Sequence, residues 1–318
     1  MSDVLQPEIS CKTAKEFVDI ILPAGEYFQE KISNSTWLFR GQGRDYELKP
    51  SIFRQDEKSV VKLKRLTDRN ISSSYEQLLL AERDFLDSFF VIADKRGFQI
   101  PDDSQELRSS LARYRRYDQG VINDNGEWLS SGRLLSLVAM AQHYGIPTRL
   151  IDWTLQPLVA AYFAAEGGMR RFNLEKKGFS DPENSIVFWA FYFPLFSVDI
   201  HFHTKDYSIK GITAPGSSNP NLKAQQGVFT LARHWYTNEA NNDYLPLHKI
   251  IENISTSAYS RDVDRCELQK ITLPVSESFE LLKLLARLDI TPSSVYPGYH
   301  SVIDDMQMQK SWGDYERK

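Results

Sequence analysis

The sequence of 318 residues predicts an α+β fold, with one sheet built from distant segments and a helical insertion between the first strand and the rest. Three observations predict it: a strand-like run at 36–43, helical spacing across 55–135, and β-branched or aromatic runs further along the chain. We expect a single unit spanning 1–318. It comprises an N-terminal helical segment, 1–30, the helical insertion, 55–135, and a main α+β part, 136–300.

The N-terminal part predicts a helix and then a strand. The helix covers Thr13–Ile21 and ends before Pro23. The residues TWLF at 36–39 favour an extended chain, and Gly41 and Gly43 mark the end of the strand.

Arg40 follows this apolar strand directly. Because side chains alternate along a strand, Leu38 and Arg40 share one face, while Trp37 and Phe39 share the other. The guanidinium offers a fixed fork of donors that suits phosphate or carboxylate, and Gly41 allows a ligand or a backbone to approach closely. The alternative is structural: Arg40 pairs with an internal acid and ties the sheet together.

Further helices and strands follow in the insertion and in the main part. Helices are predicted at 133–144, 243–253 and 277–288, and strands at SIVFWAFYF (185–193), GVFTLA (227–232) and ELQKITLP (267–274).

The stretch QHYGIPTRLIDWTLQPLVAAYFAAE, at 142–166, predicts a strand, a turn and a helix. We place the strand at Thr148–Ile151, the turn at Asp152–Thr154 and the start of the helix near Pro157, which the first helical turn tolerates. Backbone N–H groups at such a turn point outward and can accept an anion. The simpler interpretation is a helix cap beside a packed tryptophan.

Two of these stretches resemble a known family. FRG at 39–41 and QHYGIPTRLIDWTLQPLVAAYFA at 142–164 resemble the motifs that define the FRG domain, a bacterial and phage family. AQQGVFTL at 224–231 and KITLP at 270–274 are similar to its later motifs. The resemblance implies a fold unit and little chemistry.

The order of three elements also resembles, more distantly, mono-ADP-ribosyltransferases of the Arg–Ser–Glu type. Those enzymes carry an aromatic–Arg–Gly strand end, a Ser-Thr-Ser strand before a helix, and a strand with Glu-x-Glu. Phe39-Arg40-Gly41, Asp152-Trp153-Thr154 and Gln225-Gln226-Gly227 stand here in the same order. The resemblance implies a split, mixed or antiparallel sheet, with NAD as substrate.

The same resemblance implies roles for individual residues. Arg40, beside Gly41, takes the NAD phosphate, and Thr154 supplies the hydroxyl that supports the site. Trp153 or Tyr162 flanks the nicotinamide ring.

The third element departs from the pattern because Gln226 stands where the glutamate is expected. Gln226 can hydrogen-bond a ribose hydroxyl but brings no negative charge to a sugar that becomes positive in the transition state. Losing one such electrostatic contribution costs about 2.7–4 kcal/mol. Either Asp152 or Glu267 supplies the missing negative charge from another position, or the chain binds a nucleotide beside Gln225 without efficient turnover.

Three functional hypotheses follow. The first is an NAD-handling enzyme that transfers ADP-ribose or cleaves NAD, with a toxin or antiphage defence effector as the setting that the resemblance implies. It implies a protein or nucleic-acid target and a neutralising partner protein. The second is a non-catalytic module that binds a nucleotide or nucleic acid. In the third, Arg40 is structural and pairs with Asp152 inside the core.

Other candidates have stronger structural explanations. His201 and His203 alternate on a possible strand and, with His234, could hold zinc, but a solvated edge strand is the preferred interpretation. His143 either caps its helix or acts as a general base. The run RYRRY at 113–117 can contact nucleic acid, or form a wet helix face.

Composition excludes several classes of protein. The net charge of −4 gives no basic field for DNA or a membrane surface. The longest apolar run, near Leu158–Ala165, is far shorter than the roughly 20 residues of a membrane span. Cys11 and Cys266 form no CxxC pattern. These features predict a cytoplasmic protein without a membrane partner.

Overall fold

The structure is a computed structural model, and it describes most of the chain. The described residues are 5–22, 25, 27–29, 36–54, 57–66, 75–116, 134–175, 184–194, 207–213, 220–234, 245–255 and 266–315.

The described residues form a seven-stranded, mostly antiparallel sheet. Its strands are β1 (Ile9–Ser10), β2 (Thr36–Gln42), β3 (Leu150–Thr154), β4 (Ser185–Phe193), β5 (Tyr207–Thr213), β6 (Gly227–His234) and β7 (Glu267–Pro274). Their order is β1-β7-β4-β2-β3-β6-β5, and only the β1–β7 pair is parallel. The two-residue strand β1 is too short to leave a pattern in the sequence, so the predicted first strand is the second one.

The sheet is nearly interrupted between β2 and β3. These two strands share a single register pair, Phe39 with Thr154. On either side the pairing is continuous, since β2 pairs with β4 over seven residues and β3 pairs with β6 over five. The sheet therefore consists of two well-paired halves that meet at one point.

Helices occupy both the insertion and the main part. They are α1 (Ala14–Ile21), α2 (Glu57–Leu66), α3 (Tyr75–Lys95), α4 (Gln105–Arg116), α5 (Leu135–His143), α6 (Pro157–Glu175), α7 (Pro220–Ala224), α8 (Leu247–Ser255), α9 (Ser278–Arg287), α10 (Pro292–Val295) and α11 (Tyr299–Tyr315). Short 3₁₀ turns cover Ser51–Phe53 and Val275–Glu277.

The alternation predicted for β2 is confirmed. Leu38 packs in the core that contains α3 and the other helices of the insertion, whereas Trp37 and Phe39 pack in a second core with α1, α6 and α9. Strand β2 therefore separates two apolar layers, as expected for a central strand with both faces covered.

Two glycines, Gly41 in β2 and Gly43 just after it, allow the strand to lie directly on the backbone of α6. A Cβ on Gly41 would lie 1.8 Å from the carbonyl oxygen of Ala160 and 2.6 Å from the nitrogen of Ala164. A Cβ on Gly43 would lie 2.3 Å from the carbonyl carbon of Gly167. The close approach expected at Gly41 is therefore made by protein backbone.

A buried ion pair joins the insertion to Arg149, the residue before β3. Glu82 of α3 and Arg149 are 0% and 2% exposed, with 2.5 Å between Oε2 and Nε. Oε1 of Glu82 also accepts from the backbone nitrogen of Arg149 at 2.7 Å. Burial raises the pKa of Glu82, while the charge and hydrogen bonds of Arg149 act in the opposite direction.

Most predicted elements are confirmed within one to four residues, and strands β4 and β7 match their predicted bounds. The prediction at Asp152–Thr154 was wrong. These residues are the second half of β3 and pair with Phe229, Val228 and Gly227 of β6, so they form no helix N-terminus. The run IDWT continues the strand because its β-branched and aromatic residues suit an extended chain better than a turn.

Candidate functional site

A cavity of about 410 Å³ opens beside the point where β2 and β3 meet. The residues that line it come from β2, β3, β6, three helices and the segment after α10. They are Phe39, Arg40, Gly41, Gln142, His143, Asp152, Trp153, Thr154, Phe163, Leu222, Gln225, Gly227, Phe229 and Tyr296. Arg40 and Asp152–Thr154 therefore line one cavity, which we call the β2–β3 cavity.

Arg40 bridges the two halves of the sheet. Its Nη1 donates to the backbone oxygen of Asp152 at 2.8 Å and lies 2.7 Å from the carboxylate Oδ2 of the same residue. The Arg40 side chain is 11% exposed. Among the described residues, Nε and Nη2 have no hydrogen-bond acceptor, so they remain available to a ligand. Both the structural pairing and the open space beside it are thus present.

Among the described residues that line the cavity, Asp152 is the one with an acidic side chain, which is 62% exposed. Partial removal from water would raise the pKa of Asp152. The charge and hydrogen bond of Arg40, together with the charge of Arg54, outweigh this effect and hold the pKa below its usual range. The carboxylate is therefore ionised at neutral pH.

A chain of side-chain hydrogen bonds fixes the carboxylate from the opposite side. Gln142 of α5 donates from Nε2 to Asp152 Oδ1 at 3.1 Å, and its Oε1 accepts from the hydroxyl of Thr148. The backbone nitrogen of Thr148 donates to Ser51 Oγ at 3.1 Å. Asp152 is thus oriented by Arg40 on one side and by Gln142 on the other. Gln142 carries no local signal of this role, because the role depends on a partner ten residues away across a helix end.

The hydroxyl of Thr154 joins two turns. It donates to the backbone oxygen of Gln225 and accepts from the backbone nitrogen of Gln156 at 3.0 Å. With a side chain that is only 3% exposed, Thr154 acts on the shape of the cavity wall. The role of this hydroxyl in supporting a nucleotide site stays a prediction.

The two glutamines before β6 are placed differently. Gln225 lines the cavity, and its Nε2 donates to the backbone oxygen of Val295 at 3.2 Å. Gln226 is not among the described lining residues, and its φ of 44° places it in the left-handed region, at the turn into β6. Of the two glutamines, Gln225 is therefore the one that lines this cavity.

The rings of Trp153 and Tyr162 both lie in the core. The indole of Trp153 is 3% exposed, donates to Thr230 Oγ1 at 2.9 Å and packs on Phe191 at 5.7 Å. Tyr162 is 2% exposed and lines a different cavity. Trp153 thus lines the β2–β3 cavity with a ring that is almost fully buried, while Tyr162 is not among the described residues of that wall, and the packed tryptophan of the simpler interpretation is observed.

A more exposed aromatic pair lines the same cavity. Phe163 of α6 and Tyr296 are both half-buried, line the cavity and contact each other edge to face at 5.9 Å. Sequence reasoning missed both. Phe163 lies in the recognised motif, but Tyr296 follows a four-residue helix far along the chain and carries no local signal.

His143 also lines the cavity from the last turn of α5. Burial lowers its pKa, so the imidazole is neutral at pH 7. Its Nε2 lies 3.4 Å from Nδ2 of Asn221. A neutral imidazole in this position can accept or donate a proton within the cavity, and the hypothesis of a general base therefore retains a structural basis.

The remaining candidates lie elsewhere. Glu267 begins β7 and pairs with Tyr192 of β4, away from the described cavity wall. His201 and His203 fall outside the described residues, as does the end of RYRRY at Tyr117.

Two general features are absent from the described part of the chain. No group of three or more His, Cys, Asp or Glu side chains there could hold a metal ion. The described helices include none that is apolar and long enough to cross a membrane.

Part of the chain matches a known family. Residues 35–171 match the family model of the FRG domain. The matched range includes Arg40 and Asp152, and it ends before Gln225 and Tyr296. No curated protein and no solved structure matches the chain.

Proposed function

We propose that the β2–β3 cavity binds NAD and that the chain is an ADP-ribosyltransferase-like enzyme that transfers ADP-ribose or cleaves NAD. The observation that carries the proposal is the shared cavity of Arg40, Asp152 and Thr154, which come from two strands in the order the resemblance requires. The near-interruption between β2 and β3 supports a split sheet of the ADP-ribosyltransferase kind.

Arg40 is the phosphate-binding group in this proposal. It is the arginine among the described lining residues, and its Nε and Nη2 remain available while Nη1 is held by Asp152. A guanidinium fixed in this way loses little side-chain freedom when it binds a diphosphate. The ion pair with Asp152 also lowers the net positive charge at Arg40, so the affinity for NAD depends on hydrogen bonds as well as on charge.

Asp152 supplies the negative charge that Gln226 cannot. It is ionised, exposed and oriented by Arg40 and Gln142. When the bond between nicotinamide and ribose breaks, positive charge develops on the sugar, and a fixed carboxylate stabilises that charge. The half-buried pair of Phe163 and Tyr296 provides the apolar surface for a planar ring.

A calorimetric titration with NAD, combined with a chromatographic assay for released nicotinamide, tests the proposal. We expect wild-type protein to bind NAD and release nicotinamide, and Arg40→Ala to lose binding. Asp152→Asn keeps the shape of the side chain, so we expect it to bind NAD but to turn over about a hundred- to a thousand-fold more slowly. Arg287→Ala, at an exposed position on α9, is the matched control and should behave as wild type. No heat with wild-type protein would refute the proposal.

A second candidate is a binding module without turnover, for a nucleotide or a nucleic-acid end. It is favoured by Gln225 in the cavity wall and by the fact that Asp152, the described carboxylate there, is already paired with Arg40. NAD binding that Arg40→Ala abolishes, without any nicotinamide release from wild type, would select this alternative.

The biological setting belongs to the same proposal. We infer a toxin or antiphage defence effector that acts in the cytoplasm on a protein or nucleic-acid target and is restrained by a partner protein. The support is the match to the FRG domain. The resemblance implies a family of bacterial and phage proteins. Growth arrest on expression of wild type, but not of Asp152→Asn, tests it.

A further inference from the structure

A second cavity, of about 560 Å³, lies among helices α6, α9, α10 and α11, and we call it the helical cavity. It is lined by Tyr162, Glu166, Arg170, Leu282, Pro292, Tyr296, Ser301, Asp304, Gln307 and Met308. Tyr296 lines both cavities. None of the functions considered above uses this space.

The charge of the helical cavity is negative. Two carboxylates, those of Glu166 and Asp304, face one guanidinium, that of Arg170. Arg170 Nη2 lies 2.6 Å from Glu166 Oε1, but the arginine is 72% exposed whereas Glu166 is 23% exposed. An exposed ion pair of this kind contributes little to stability and is easily exchanged for another cation. Anions are therefore disfavoured in this cavity, and a cation is favoured.

Tyr162 provides an independent indication of a ligand. Its side chain is 2% exposed and lines the cavity, yet its hydroxyl has no hydrogen-bond partner among the described residues. The hydroxyl itself is not fully buried, so it retains access to the cavity, where water or a ligand can bond it. Ser301, 7% exposed, lines the same cavity, and its hydroxyl likewise has no partner in the described part of the chain.

Both phenols respond to the field of the acids. Burial, followed by the charge of Glu166, raises the pKa of Tyr162 and raises that of Tyr296 to about 12. The two phenols are neutral at physiological pH and can accept a hydrogen bond from a cation, while their rings offer π faces. Leu282, Pro292 and Met308 supply an apolar surface beside them.

We propose that the helical cavity binds a small organic cation, a primary ammonium or guanidinium group on a short aliphatic stem. The ammonium or guanidinium lies between Glu166 and Asp304 and donates to the hydroxyl of Tyr162. The stem packs against Leu282 and Met308. This proposal does not depend on NAD binding in the β2–β3 cavity.

Calorimetric titrations without any nucleotide test this inference. The probes are agmatine for a guanidinium, putrescine for an ammonium, and 1,4-butanediol as the uncharged analogue of similar length. We expect saturable binding of at least one cation with a Kd on the order of millimolar, and none of the diol. Glu166→Gln and Tyr162→Phe should each weaken binding by about tenfold, because each removes a hydrogen bond to a charged group.

The control is Glu280→Gln, which removes an exposed carboxylate of α9 that forms an ion pair outside the cavity. It should bind the cations as wild type does. Thermal unfolding of each variant shows whether it is folded at the temperature of the titration, and Tyr162→Phe keeps the shape of the ring if Glu166→Gln fails to fold. Equal binding of the diol, unchanged binding by both variants, or no saturable binding at concentrations on the order of 10 mM would overturn the proposal.

Discussion

Arg40 and Asp152 form the contact that joins the two halves of the sheet. One guanidinium nitrogen, Nη1, bonds both the backbone oxygen and the carboxylate of Asp152, at 2.8 and 2.7 Å, where β2 and β3 share only one register pair. The same contact holds the arginine at the wall of a cavity. Its structural and ligand-binding roles are therefore separable by experiment, since each predicts a different effect of removing the side chain.

Arg40→Ala should reduce the free energy of unfolding by about 1–3 kcal/mol, because hydrogen bonds to a charged group are lost while the backbone oxygen of Asp152 stays partly covered. The loss stays below that of a fully buried pair because Asp152 is 62% exposed. Urea denaturation measures it, with Arg287→Ala as the control that should change little. A loss well above this range would show that the arginine is chiefly structural.

Gly41→Ala should destabilise the protein by more than about 3 kcal/mol, or prevent folding, because the new Cβ would lie 1.8 Å from the carbonyl oxygen of Ala160. Gly97→Ala is the comparison. Gly97 has open space around it but a φ of 72°, so alanine there should cost only about 1–2 kcal/mol. Thermal and urea unfolding of both variants test the difference. Equal losses would show that β2 does not pack on the backbone of α6.

Glu82→Gln should cost about 3–5 kcal/mol, because it leaves the charge of Arg149 buried without its carboxylate. Glu106→Gln, on the exposed first turn of α4, is the control and should lie within about 0.5 kcal/mol of wild type. Denaturant unfolding at neutral pH measures both. If Glu82→Gln is as stable as the control, the insertion is not tied to β3 by this pair.

His143 predicts a pH dependence of stability. Burial lowers its pKa in the folded protein, so the folded state binds the proton more weakly than the unfolded state does. The contribution of a neutral His143 is therefore complete above the unfolded value of about 6.5 and is lost as the pH falls through the lower folded value. Relative to His143→Gln, the wild type should lose stability between neutral and acidic pH. A constant difference across that range, measured by urea denaturation, would contradict the predicted shift.

Local patterns in the sequence were sufficient for much of the fold. Strand β4 is a continuous run of aromatic and β-branched residues, and such a run leaves little alternative to a buried strand. The alternation around Arg40 was also readable, because a period of two fixes which side chains share a face.

What could not be predicted depends on contacts between distant segments. The boundary of β3 was wrong because Asp152 has the character of a helix cap when read locally, and only its pairing with Phe229 of β6 keeps it in the strand. Gln142 and Tyr296 reach the cavity through tertiary packing alone. The paired state of Arg40 was one of two open alternatives, and three-dimensional geometry shows that the pairing and the cavity coexist.

A crystal structure of the protein soaked with ADP-ribose shows directly whether Arg40 binds a diphosphate. We expect the diphosphate in the β2–β3 cavity, with a phosphate oxygen within hydrogen-bonding distance of Nε or Nη2 of Arg40. A cavity that stays empty at saturating ligand, or a ligand bound elsewhere with Arg40 engaged only by Asp152, would contradict it.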